Sequence, residues 1–130
     1  MLQRDYLLEV IEGFAEALTE ALCRAAAGDL AAVEDVEQEV AEVLELDREV
    51  ALALAPDSLV TMMVLSGMGG ELAAYVCYAL DRAGALREAA GDADTAGLRR
   101  LQARAVAESF GCDPRVAPPG LEEADQAAFE

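Results

Sequence analysis

The sequence predicts an all-α fold, an antiparallel helical bundle or array of about five to six helices, and three observations carry that reading. Apolar side chains recur at intervals of three and four over long stretches, which is the period of one helix face. Between Ser58 and Gly84 they concentrate, and between Glu71 and Asp81 they run without interruption. A segment apolar all round belongs in the middle of a bundle. Aromatic residues are only 5% of the 130 and Trp is absent, so the core is built of Leu, Val, Met and Ala. Such a core suits close helix-to-helix approach better than stacked sheets. With 55% hydrophobic residues, a chain of this size supports one self-sufficient core. The division expected is one helical domain over 1–111, then a Pro/Gly link and a short C-terminal helix or disordered tail over 112–130.

The elements follow in order. Leu7, Ile11, Phe14, Leu18, Leu22 and Ala25 draw a stripe along a first helix whose opposite face carries Glu9, Glu12, Glu16 and Glu20. Gly28 ends it, and Asp29 is placed to cap a second helix from Leu30 to about Leu46. Val33, Val36, Val40, Val43 and Leu44 face inward there, and Glu34, Asp35, Glu37, Glu39, Glu42 and Glu45 are expected outside, without Lys or Arg to pair them. Asp47 opens a short helix that Pro56 stops. Leu59 to Leu65 suits helix or strand; helix is preferred because a single strand would have nothing to pair with. Gly67, Gly69 and Gly70 turn into the central helix, Glu71 to Arg82. After Gly84 a short piece reaches Gly91 and Asp92, and a long helix runs from about Asp94 to Phe110, with Leu98, Leu101, Ala105 and Phe110 inward and Arg99, Arg100 and Arg104 elsewhere. Leu121 to Glu130 forms a terminal helix that is docked or disordered.

Composition excludes several functions. The 26 acidic residues outnumber nine basic ones, giving a net charge of −17, and every basic residue is Arg. Such a charge repels phosphate backbones and anionic lipid, so neither nucleic acid nor a membrane surface is an expected partner. Without His or Lys, the chain lacks the usual general base and metal ligand, the Schiff-base amine and the phosphate-loop lysine. The glycines at 67, 69 and 70 do not make a dinucleotide site, because Leu72 stands where a small residue is needed, and Ser66 has no His to activate it. No cofactor is expected. Cys23, Cys77 and Cys112 are far apart in sequence, two of them within apolar helical patterns, and read as small hydrophobes rather than a structural disulfide. With no signal-peptide pattern and no apolar span, a reducing cytoplasm is the expected compartment. Six of the nine arginines follow residue 61, and they are expected to answer carboxylates of the N-terminal helices, within the fold or across a dimer.

One internal echo suits either true repeat packing or an ordinary antiparallel bundle using the same turn chemistry. Arg24 to Asp29 reads R-A-A-A-G-D and Arg87 to Asp92 reads R-E-A-A-G-D, 63 residues apart, about twice the roughly 34-residue period of the tetratricopeptide repeat. The opening Gln3-Arg4-Asp5-Tyr6-Leu7-Leu8 with Ile11-Glu12, the Gly28-Asp29 turn, and Leu44-Glu45-Leu46-Asp47 before a Leu/Ala helix resemble a family of small bacterial proteins of unknown function described as tetratricopeptide-like. That resemblance implies helical hairpins and no catalytic residues.

The function expected is a non-enzymatic protein or peptide interaction module, or scaffold, whose acidic surface favours a basic partner. Alternatives are a divalent-cation protein using Glu9, Glu12, Glu16 and Glu20, and a purely structural homodimer.

Overall fold

The computed structural model describes the backbone of residues 2–129 and the side chains of 6–129. Among the described residues the fold is all-helical, as the periodicity required, with seven helices: α1 (Leu2–Ala26), α2 (Ala32–Leu44), α3 (Arg48–Ala53), α4 (Pro56–Leu65), α5 (Gly70–Ala89), α6 (Ala93–Phe110) and α7 (Glu122–Phe129). Leu59 to Leu65 is helix. Pro56 does not simply stop the preceding helix; it is the first residue of α4, where a missing N–H leaves nothing unsatisfied.

The apolar run becomes the axis of the molecule. Residues 72 to 80 of α5 are buried on every side except at Ala74, and α5 packs against α1, α2 and α6. Contrary to expectation, the helix does not end near Gly84 but continues to Ala89. Gly84 is retained for closeness: a Cβ there would lie 3.3 Å from the Ala96 carbonyl oxygen and 3.1 Å from Arg100 Cγ on α6.

That close seam also corrects the face assigned to α6. Leu101 is 54% exposed, while Ala96, Arg99, Gln102, Ala103 and Val106 are buried. The leucine stripe and the small-residue stripe lie on adjacent faces. The face with Ala96 and Ala103 wins because it lets α6 lie close to Gly84 of α5 while Arg99 and Gln102 reach the Leu52 carbonyl.

The two echoed hexapeptides fold identically. Asp29 N–H donates to Arg24 O and Gly28 N–H to Ala25 O, and Asp92 N–H donates to Arg87 O and Gly91 N–H to Glu88 O. Both glycines have positive φ, 97° and 86°. These are paired Schellman closures, each turning one helix into the next and building the α1/α2 and α5/α6 hairpins. Their aspartates differ: Asp92 accepts from Thr95 N–H and caps α6, whereas Asp29 accepts from Ala31 N–H and α2 starts without a side-chain cap.

The same closure ends α2, but there the left-handed position is Glu45, φ 58°, the only non-glycine among the described residues with positive φ. Left-handed backbone costs an L-residue about 1–2 kcal/mol, partly offset by the entropy a glycine would lose. Glu45→Gly is therefore expected to raise stability by about 0.5–1 kcal/mol, measured by urea unfolding.

Of the alternatives for the C-terminus, the structure shows docking. Leu121 is fully buried and Ala124 nearly so, in the same core as α1 and α5. Tyr78 OH donates to Asp125 Oδ1 at 2.7 Å, Arg82 Nε lies 2.8 Å from the same oxygen, and the Arg82 guanidinium stacks 4.8 Å from the Phe129 ring. No helix of the described residues is long and apolar enough to cross a membrane.

Candidate functional site

Three features merit consideration as a site: a buried charge cluster and two surface clefts. The cluster overturns one expectation, since Glu37 is not on the outer face of α2 but 2% exposed. Its carboxylate accepts from Arg87 Nη2 at 2.5 Å and Nε at 3.2 Å, and from Arg99 Nε at 2.7 Å. Arg99 Nη1 donates onward to Leu52 O at 2.7 Å and Gln102 Oε1 at 3.1 Å, while Gln102 Nε2 donates to Leu52 O and Leu54 O. Arg87 and Arg99 thus answer a carboxylate of an N-terminal helix, within the fold. Burial pushes the Glu37 carboxyl up, but the hydrogen bonds from Arg87 and Arg99 outweigh it and hold the carboxyl below its ordinary range. Among the described residues, no fully buried side-chain nitrogen or oxygen of this cluster lacks a hydrogen-bond partner. The cluster closes the end of α3, whose last carbonyls a six-residue helix leaves open, and its role is structural.

The larger cleft, about 900 Å³, opens between the N-terminal half of α1, the end of α2 and the α4–α5 turn. Its floor is apolar: Leu7, Val10 and Phe14 from α1, Val43 and Leu44 from α2, Met68 from the turn and Leu72 from α5. Gly13 adds no side chain, and a Cβ there would meet nothing within 4 Å. Around this floor stand Glu9, Glu39, Glu42 and Glu45, and no basic residue lines the cleft among the described side chains. The Glu39 carboxyl is raised above its ordinary range, first by burial and then by the charges of Glu42 and Asp35. Negative charge is therefore gathered on an apolar trough, with no counter-ion among the described residues that line it. Its strained residue, Glu45, stands on this rim, and backbone strain concentrates at functional positions.

The smaller cleft, about 540 Å³, lies between α1, α5 and the 112–119 segment, lined by Leu8, Ile11, Ala74, Tyr75, Cys112 and Val116 among others. Tyr75 OH donates to the carbonyl of Pro119, another residue of this wall, at 2.6 Å.

Of the carboxylates named from the sequence, Glu9 reaches the larger cleft, while Glu12, Glu16 and Glu20 stay on the exposed face of α1. Among the described residues no three His, Cys, Asp or Glu side chains stand close enough to hold a metal ion. Glu39, Glu42 and Glu45 were the missed rim. Their signal was the unpaired acid content of α2 beside Val43 and Leu44, readable only with α1 in place. Ser66, in the turn, donates to Met63 O at 2.8 Å and so terminates α4.

Among the described residues the fold and its larger cleft define an all-helical protein with an acid-rimmed apolar groove. No family model, no curated protein and no solved structure matches the chain.

Proposed function

We propose that this chain is a cytoplasmic, non-enzymatic interaction module that holds a basic, amphipathic helical segment of a protein partner in the groove between α1, α2 and the α4–α5 turn. The observation that carries the reading is the pairing of an apolar floor with four carboxylates and, among the described side chains, no lining cation. An amphipathic helix presents apolar anchors at i, i+3, i+4 and i+7 and can flank them with Lys or Arg. Placed apolar side down, it covers Phe14, Val43 and Leu72 and brings its cations to Glu9, Glu39, Glu42 and Glu45. Charge of this kind governs encounter rate and partner choice more than final affinity. The matching closures at Gly28 and Gly91 support tetratricopeptide-like hairpins as the scaffold.

The test uses a synthetic Lys/Leu helix with apolar residues at helical spacing and a scrambled peptide of the same composition, each titrated calorimetrically at low and physiological salt. The expected result is saturable binding of the ordered helix alone, weakened by salt. A Glu39→Lys, Glu42→Lys double variant is expected to bind at least about tenfold more weakly, or about 1.4 kcal/mol. Equal binding of the scrambled peptide would reduce the interaction to the net charge of −17 and defeat the reading. A dimer in solution that the double variant abolishes would assign the groove to a second copy instead.

A further inference from the structure

Cys77 and Cys112, separated by 35 positions, are brought to neighbouring turns of α6. Cys77 is fully buried on α5, and its thiol donates to Ala103 O at 3.5 Å. Cys112 follows the left-handed Gly111 that ends α6, and its amide donates to Ala107 O at 3.2 Å. Ala103 and Ala107 are one helical turn apart, about 6 Å of rise, so α6 anchors both cysteines to neighbouring turns. The Cys112 side chain is half-buried, packs on the core cluster that contains Cys77, and lines the smaller cleft. Burial pushes the Cys77 thiol up, and Cys112 is the neighbour that adds most to that rise. Both are free thiols, as is Cys23, which stands exposed on α1.

We infer that Cys112 and Cys77 form a peroxide-responsive thiol pair, in which Cys112 is oxidised at the cleft and Cys77 resolves it to a disulfide joining α5 to the 112–119 segment. The roles follow from access. Cys112 faces the cleft and can be reached by a small oxidant, whereas Cys77 is sealed in the core and can meet only its neighbour.

In the first step the Cys112 thiolate attacks one oxygen of hydrogen peroxide. The O–O bond breaks, an S–O bond forms, the sulfur loses two electrons, and the other oxygen leaves as hydroxide and takes a proton to become water. In the second step the Cys77 sulfur attacks the Cys112 sulfur as the S–O bond breaks. The departing hydroxide takes the Cys77 proton, so the sum is two thiols and one peroxide giving one disulfide and two waters. The product fastens one wall of the smaller cleft to the central helix and replaces the hydrogen bond to Ala103.

The experiment uses the full chain carrying Cys23→Ser, which removes the exposed thiol and leaves the pair. After hydrogen peroxide treatment, intact mass is expected to fall by two hydrogens with no oxygen added. No thiol should then be alkylated in denaturant, and a phosphine reductant should restore both. The non-reduced digest should join the peptides bearing Cys77 and Cys112, and the oxidised chain should melt above the reduced one. With Cys112→Ser added, Cys77 should remain an unmodified thiol. With Cys77→Ala added, Cys112 should pass on to oxygenated forms or to a disulfide-linked dimer. Oxygen uptake at Cys112 in the Cys23→Ser chain, with Cys77 still alkylated, overturns the inference. That measurement needs neither of the two further variants to fold.

Discussion

Glu37→Ala is expected to destabilise the protein by about 3–5 kcal/mol, the range for breaking a buried ion pair from one side. The loss exceeds that of the three bonds because Arg99 stays behind, its side chain 7% exposed, as an unpaired buried cation. For a domain of this size the thermal midpoint should fall by about 10–20 °C. Glu37→Gln should fall between, since it retains an acceptor and loses the charge. The pH dependence follows from the sign of the shift. The Glu37 carboxyl lies below its ordinary value in the folded state, so its contribution is present above roughly pH 4.3, the value for free Glu. It is lost as pH falls through the lower folded value. Glu39 works in the opposite sense, because its raised carboxyl favours the fold when protonated and its contribution fades as pH rises through the folded value. Thermal melts of the wild type and Glu37→Gln should therefore differ most near neutrality and converge as pH is taken below about 4.

Gly84→Leu is expected to cost about 3 kcal/mol or more, from overpacking at the α5/α6 seam. The atom that would have to move is a main-chain carbonyl, Ala96 O, 3.3 Å from the first side-chain carbon alone. Gly84→Ala separates crowding from helix propensity. It gains about 1 kcal/mol of intrinsic preference and loses some of it to the contact with Arg100 Cγ, whose flexible chain can yield. Near-neutral behaviour of Gly84→Ala beside a severe Gly84→Leu, in urea unfolding, is the expected pattern. Equal, small effects would mean that the helices do not touch there.

Much of the fold was legible because α1, α2 and α5 carry patterns with one dominant solution. The stripe from Ile11 to Leu22 and Val33, Val36 and Val40 of α2 face inward as their spacing required, while Val43 is half-buried on the larger cleft, and Gly28 and Gly91 mark turns that only a left-handed residue makes cheaply. The α6 face was not legible, since Leu98 and Leu101 made the more hydrophobic stripe while the packed one held Ala96, Ala103 and two polar residues. Polar burial cannot be seen in one helix: Arg99 and Gln102 are inside because α3 ends in open carbonyls beside them, and Glu37 is inside because two guanidiniums come to meet it. The groove is likewise a property of three elements, and none of them alone distinguishes Glu42 on a binding rim from Glu16 on a solvated face.

The bonds of Glu37 span 50 and 62 residues along the chain. Each hairpin can zip up locally through its own turn, but this junction waits until both are docked, since long-range closure must precede it. Its contribution therefore lies on the native side of the folding barrier: the Glu37 junction acts as a latch that slows escape from the assembled state and leaves the rate of reaching it nearly untouched.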